Sequence, residues 1–392
     1  MSTTAWRVRN ETKSIDYSGV RSLNFTTGRQ KFIDSYNGNT CSITIANNNE
    51  STFSGNLGDQ LRLIPSTNAY EGTAMVFWIT SFIYNDEPGT MNNSTITILG
   101  EDNIARLGRA RVNAVGTLGS TYSLYQARKM INDNGAPVTA SFTPGARSYA
   151  SAQTWTGSVA DFMRQCLDTE QGYLTSNTYP GAPLALGGDV KMYGRGADAR
   201  ASQYVYGRTP STSTIGYQDI RRNKFFDIFA NQVTVNPVGL ASQIESNTAS
   251  IAAYGVYGAD LTSNDSTTTG ADGLASYLVQ VLSDLNLINV EISFTDKTQV
   301  DGGNWPTTNT YRDWLAGMRD LPTVNSVLKY RQPGDTVDRE LKVIATGWSC
   351  SATPAETTWT VYLAPFTIYN FFILNSTTQG ILDESRLNWG TS

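Results

Sequence analysis

The sequence contains no histidine. That removes the commonest general base, both the Ser-His-Asp and Cys-His arrangements, and the commonest metal ligand. Three cysteines, Cys41, Cys166 and Cys350, are odd in number and far apart, so they form no disulfide framework, and without a CxxC pair they offer no zinc site. Cys41 and Cys166 fall on apolar faces, where cysteine behaves as a small hydrophobe. Charged residues make up only 16% of the chain, below the usual quarter. Such scarcity fits a protein that hides surface against other subunits. The net charge is −5, and the densest basic cluster, Arg221, Arg222 and Lys224, is too short for a phosphate-binding stripe. Specific nucleic-acid binding is therefore not expected. The longest apolar stretch, Ala74 to Tyr84, is interrupted by Thr80 and Ser81, about half of the roughly 20 residues that span a bilayer. The N-terminus lacks an apolar h-region, so no signal peptide is expected, and synthesis in a reducing cytosol follows.

Phosphate-cradling loops are also missing. Gly194-Arg195-Gly196-Ala197-Asp198-Ala199 matches GxGxxA in form, but strand-like Tyr204, Val205 and Tyr206 follow it where a helix is required, so it reads as a turn. Without histidine, paired carboxylates could still hydrolyse glycans. The candidates Asp86–Glu87, Glu101–Asp102 and Asp383–Glu384 are sequence neighbours in turn-like settings. Neighbours on a strand point to opposite faces, so they read as solvated loop acids. Asp301-Gly302-Gly303-Asn304 lacks EF-hand spacing. The expected site inventory is therefore empty: no catalytic residue, no cofactor and no metal, hence no enzyme.

What the chain does have is period-two alternation. Cys41, Ile43 and Ile45 alternate with Ser42 and Thr44, and Ile96 and Ile98 with Thr95 and Thr97. Val233 and Val235 flank Thr234. Ile288, Val290, Ile292 and Phe294 alternate with Asn289, Glu291 and Ser293, and Trp359, Val361 and Leu363 with Thr360 and Tyr362. Each is a strand with one buried face. Helices are predicted over 120–131, over Val159 to Leu167 (Ser158 capping, Gly172 ending), and along the stripe Leu274, Leu278, Val281, Leu282, Leu285. Asn134–Ala152, Ser176–Gly188 and Thr262–Gly273 read as linkers, the last a mobile loop. Trp78, Trp348 and Trp359 lie in strand patterns and read as core or interface residues. There is an internal echo: strand candidates Leu61–Ile64, Val76–Ile83 and Thr95–Leu99 repeat in rhythm as Asn325–Tyr330, Glu340–Thr346 and Trp359–Leu363. This reads as two related β-barrels or sandwiches.

Gly28-Arg29-Gln30-Lys31-Phe32-Ile33-Asp34-Ser35-Tyr36, followed by Gly38-Asn39-Thr40-Cys41-Ser42-Ile43-Thr44-Ile45-Ala46-Asn47, resembles the opening of siphophage minor tail proteins. Val76–Thr80, Thr95–Leu107, Ala127–Asn132, Asp168–Leu174, Asn231–Val235, Ser250-Ile251-Ala252-Ala253-Tyr254-Gly255, Val343–Trp348, Thr358–Leu363 and Gly380-Ile381-Leu382-Asp383 resemble that family's later motifs in the same order. The resemblance implies a tail-tip, baseplate-hub-like protein. Its fold would be mainly β with α (α+β) and multidomain. Two tube-like β-barrel or sandwich domains (1–115 and 296–392) would enclose a central α/β region (116–225) and a strand-helix-strand region (226–295). It further implies a homotrimer that joins a six-fold tail tube to three-fold distal parts, with the distal tail ring, tail tube and central fibre or spike as neighbours. Genomic DNA would pass through transiently, and the site of action would be the virion tail tip. The alternatives are a hexameric distal tail ring protein, a virion-borne carboxylate glycan hydrolase, and a receptor-binding adhesin.

Overall fold

The computed structural model describes residues 5–30, 36–46, 54–66, 75–86, 94–112, 121–134, 138–143, 149–150, 155–176, 188–194, 204–211, 213–223, 229–284, 289–296, 314–315 and 325–365. In chain order the first body contributes β1 (Ala5–Asn10), β2 (Ile15–Tyr17), β3 (Val20–Gly28), β4 (Thr40–Ala46), β5 (Gln60–Ser66), β6 (Met75–Asn85) and β7 (Thr95–Glu101). An α/β unit follows with α1 (Asn103–Arg109), β8 (Thr121–Tyr122), α2 (Ser123–Asp133), β9 (Val138–Thr143), β10 (Tyr149–Ala150), α3 (Val159–Glu170), β11 (Tyr173–Ser176) and β12 (Gly188–Tyr193). Next come β13 (Val205–Gly207), β14 (Thr214–Gly216) and β15 (Asp219–Asn223). A second α/β unit holds β16 (Gln232–Pro237), β17 (Gln243–Ser246), α4 (Thr248–Tyr254), β18 (Gly258–Ser263) and α5 (Thr268–Leu282). The chain then returns to the β body with β19 (Asn289–Thr295), β20 (Asn325–Tyr330), β21 (Arg339–Ala352) and β22 (Thr357–Pro365). The architecture is the β-rich α+β arrangement expected.

Among the described residues, one 14-stranded sheet unites the two β portions. Its spine is β21. On one edge, Arg339–Ile344 pairs antiparallel with β20, and beyond a bulge at Ala345/Gly347 the same edge pairs with β3 from Gly347↔Gly28 to Ala352↔Leu23. The other edge carries β22 along most of its length. Two bodies thus become one sheet with a shared core, and among the described residues the strands close no barrel. Alternation puts Leu23, Phe25, Ile43, Ile98, Ile292, Trp348, Trp359 and Val361 in that core. Trp6 closes the packing against Phe25 and Trp359, with ring centroids 5.7 and 5.8 Å away. Burial of such rings stabilises by roughly 25 cal/mol per Å² of apolar area.

The internal echo is a topological repeat. In the first half, β3, β4, β6 and β7 lie in the order β6-β7-β4-β3; in the second, β15, β19, β21 and β22 lie in the order β21-β22-β19-β15. Numbered by position in each half, both read third-fourth-second-first. The auxiliary strands match as well: β5 covers the first part of β6 as β20 covers the first part of β21. Both third strands have a register shift at the same place, Ile79/Ser81 and Ala345/Gly347. At each shift a threonine hydroxyl donates to a neighbouring-strand carbonyl: Thr80 to Leu99 O at 3.2 Å and Thr346 to Tyr362 O at 3.3 Å.

The two α/β units share a second core, with α3 packed on β18. Ser158 caps α3, accepting from the Asp161 amide, as expected. The left-handed residue ending α3 is Gln171 at φ 47°, however, and not Gly172. Gly172 is required for closeness instead: a Cβ there would lie 2.3 Å from Tyr193 O. Two expected linkers are structured. Asn134–Ala152 contains β9 and β10, because Val138 and Ala140 pack into the core. Thr262–Gly273 holds the end of β18, a buried turn at Ser263, Asn264 and Asp265, and the first residues of α5, whose cap Thr267 accepts from the Gly270 amide. Asn264 fastens that turn through Gln165, Cys166 and Thr169 of α3. The Ser176–Gly188 segment lies largely outside the described residues.

Candidate functional surface

The residues that alternate with the core form the opposite face of the sheet, and most are hydroxyls and amides, with Leu99 and Ile83 as apolar exceptions. One row runs across five strands as Ser42, Asn24, Ser351, Thr358 and Thr295, each the direct partner of the next. A parallel row runs Thr26, Ser349, Thr360 and Ser293. Thr44 and Thr97 continue the pattern with hydroxyls 3.4 Å apart. β-branched Thr is at home on such a pleated, half-exposed surface. A concavity of about 620 Å³ opens on this face, lined by Asn24, Thr26, Thr40, Ser42, Thr80, Glu101, Ser349, Ser351, Thr358 and Thr360 among others.

Formal charge is pushed to the margins of this face. Glu101 is held by Arg109 of α1. Glu291, Asp219 and Arg221 lie toward the β15 end, where Arg221 and Asp219 are 3.6 Å apart. Between these margins the two rows carry no ionisable group. A neutral hydroxyl surface is wettable, yet it offers no cation to hold a phosphate.

Among the described residues, two uncovered strand edges flank this polar face. Among the described residues β15 pairs only with β19. At the far end β5 covers β6 only as far as Trp78, and the Asp59 carbonyl accepts from the Ile79 amide. From Ser81 to Asn85, β6 pairs only with β7 among the described residues. Ile83 and Tyr84 on that stretch are 45% and 56% exposed, which is unusual for large apolar side chains on an uncovered edge.

Where β3 meets β21, the backbones are in close contact. Gly28 has φ +74°, and a Cβ on it would lie 2.3 Å from Thr346 O; one on Gly347 would lie 2.6 Å from Thr27 O. The Arg29 amide donates to Thr346 O at 2.9 Å. The Arg29 guanidinium sits 4.7 Å from the Tyr36 ring centre, and Arg164 Nε donates to the Tyr36 carbonyl at 2.7 Å. Burial raises the Asp168 carboxyl to about 6, against the opposing pull of Arg29 and Arg164. Asp102 is also raised to about 6 by burial, although it caps α1 by accepting from the Ala105 amide and accepts from Asn39 Nδ2.

These findings place the suspected carboxylates. Glu101 and Asp102 serve an ion pair and a helix cap. Glu87, Asp383, Glu384, the GxGxxA segment past Gly194 and the Asp301–Asn304 turn lie outside the described residues. All three cysteines are buried; desolvation raises Cys41 and Cys350 and pushes Cys166 up to about 12, so they are inert thiols. Trp78, Trp348 and Trp359 are core residues. The hydroxyl face itself was visible in the sequence as the polar partners of each alternating strand, but nothing there showed that they would align into one surface.

No protein-family model matches the chain, and no curated protein matches it in sequence. Its fold does match solved structures. A 43 kDa tail protein of prophage MuSo2 from Shewanella oneidensis superposes with a TM-score of 0.59 at 10% identity, covering 93% of this chain and 98% of that one. The tail protein from Neisseria meningitidis MC58 superposes with a TM-score of 0.58 at 12% identity, covering 93% of this chain and 97% of that one. The chain therefore has the fold of phage tail proteins over nearly its whole length.

Proposed function

We propose that the chain is a structural hub of a phage tail tip, assembled as a ring of three copies whose hydroxyl faces line the channel through which DNA leaves. The observation that carries this reading is the continuous run of strands from β6 to β15, with a largely neutral polar face and, among the described residues, an uncovered backbone edge on β15 and on Ser81–Asn85 of β6. The shared fold with two tail proteins supports it. Two uncovered edges flanking one polar face suit a closed cyclic assembly, which covers both.

The strand count favours three. Eight strands run from β6 through β7, β4, β3, β21, β22 and β19 to β15, so three copies make twenty-four strands and two make sixteen. Strands ~4.8 Å apart and tilted ~40° close at roughly 50 Å across for the larger number and roughly 33 Å for the smaller. Side chains remove ~10 Å from each. The wider bore passes hydrated duplex DNA, and the narrower leaves almost no water layer. Because each chain holds two like halves, a trimer presents six repeats to a six-fold tube and three chains to three-fold distal parts. The distal tail ring, the tail tube and a central fibre or spike are the partners this geometry suits. Between its charged margins the face carries no cation, so phosphates slide over it without capture. No step of this role needs chemistry, so the protein acts without enzymatic turnover, at the virion tail tip.

Mass measurement on purified protein tests the reading. Light scattering should give three times the chain mass; a six-fold mass would instead favour a distal ring protein, and a monomer at high concentration would refute the hub. New reducing ends after incubation with cell-wall or capsule polysaccharide would move the assignment to a glycan hydrolase. Binding of the isolated protein to whole host cells would move it to an adhesin.

A further inference from the structure

We infer that neighbouring copies join by antiparallel pairing of β15 of one copy with the outer edge of β6 of the next, in the register that β3 and β21 use within a chain. This rests on the ring reading above and specifies the contact that closes it. The intrachain junction joins the first strand of one half (β3) to the third strand of the other (β21). The two open edges are the complementary pair: β15 is the first strand of the second half, and β6 is the third strand of the first half. The exposed edge of β6 begins just past its bulge, as the β3-binding part of β21 begins just past the bulge at Ala345/Gly347.

Matched pairings transfer the register residue by residue. Asn24 and Phe25 pair with Ser42 and Cys41, and Arg221 and Arg222 pair with Glu291 and Val290. Pairing of Ser42 and Glu291 to Leu99 and Tyr362 makes them equivalent, which makes Arg221, Arg222 and Asn223 the counterparts of Asn24, Phe25 and Thr26. Pairing of β6 to β7 and of β21 to β22 likewise makes Ile83, Tyr84 and Asn85 the counterparts of Ser349, Cys350 and Ser351. The intrachain partners Ser349↔Thr26, Cys350↔Phe25 and Ser351↔Asn24 then become Ile83↔Asn223, Tyr84↔Arg222 and Asn85↔Arg221 between copies. The side chains suit the contact. Tyr84 and Arg222 would face each other as ring and guanidinium, a pairing Arg222 already makes with Tyr330 at 5.0 Å. Arg221 and Arg222 on β15 discourage indiscriminate edge pairing, while the apolar, uncharged β6 edge supplies the buried area.

Directly opposed Cβ atoms lie ~4.5–5.5 Å apart, within reach of a disulfide after small adjustment. The full-length double variant Ile83→Cys/Asn223→Cys, oxidised with copper phenanthroline, should run on a non-reducing gel as a covalent ladder ending at three chains. Mixing the two single variants should give linked dimers and nothing larger. Tyr84→Cys with Asn223→Cys places the thiols on opposite faces of the sheet and should give at least tenfold less product. The native cysteines are buried and should not contribute. A trimeric mass without the 83–223 link, or with a stronger 84–223 link, would overturn this register and leave the ring standing. A monomeric mass would overturn both. Ile83→Lys, at an exposed position, should leave the melting of the single chain unchanged and abolish the trimer; an intact trimer would also refute the junction.

Discussion

Replacing Gly28 by alanine should cost far more than the same change at Gly239, although the two share nearly the same backbone, φ +74° and +77°. The left-handed conformation costs an alanine ~1–2 kcal/mol at either position. At Gly239 nothing lies within 4 Å of the added Cβ, so that is the whole penalty. At Gly28 the Cβ would fall 2.3 Å from Thr346 O and 2.6 Å from Gly347 Cα. Both are backbone atoms held in the β3–β21 ladder, and no rotamer change relieves the clash. Forcing packed backbone apart adds a further ~1–3 kcal/mol. Gly28→Ala should therefore destabilise by about 2–5 kcal/mol and Gly239→Ala by about 1–2. Urea unfolding followed by fluorescence of the buried Trp348 and Trp359 reads the difference, since both rings sit in the sheet the clash would strain. Equal midpoints for the two variants would show that the close approach of β3 and β21 does not hold the halves together.

Three further expectations address other parts of the molecule. The carboxyls of Asp102 and Asp168 are raised to about 6 by burial, above the unfolded value of about 3.9, so their contribution is full below that lower value and is lost as pH rises through about 6. Thermal unfolding should therefore occur at higher temperature at pH 4.5 than at pH 7, and Asp102→Asn with Asp168→Asn should flatten the slope; stability rising over that interval in the wild type would contradict the assignment. Gln171→Gly should raise stability by about 0.5–1 kcal/mol, because a glycine accepts the left-handed cap of α3 without strain, whereas Gly172→Ala should lower it through the contact with Tyr193 O; calorimetry separates the two signs. Arginines at Thr26, Ser349 and Thr360 should make the assembled protein retain duplex DNA at low salt in a mobility-shift assay, which the wild type should not do, and a shift by the wild type would count against a neutral channel face.

Much of this fold was legible in the sequence because its strands are amphipathic with strict period two. Ile43, Ile98, Val235, Phe294 and Val361 all fell on the buried side as alternation requires. α3 was legible for a similar reason, with a complete apolar stripe and a capping serine. α4 was not: five of its seven residues are exposed and the one buried residue is Ser250, so there is no apolar stripe to read. The buried turn at Ser263, Asn264 and Asp265 looked like a mobile loop because Asn264 is held by α3, a partner about a hundred residues away. The internal echo shows in the sequence only as rhythm; its specific correspondence resides in the bulges and registers of paired strands. The functional surface was the least legible part. Serines and threonines that looked like ordinary solvent-facing partners acquire meaning only when β3, β4, β19, β21 and β22, drawn from both ends of the chain, lie side by side.

An electron cryomicroscopy reconstruction of the purified assembly bears most directly on the central claim. The account predicts three chains in a closed ring of twenty-four strands, with Asn24, Ser351, Thr358 and Ser293 facing the bore. A ring with that face turned outward, or particles containing a single chain, would contradict it.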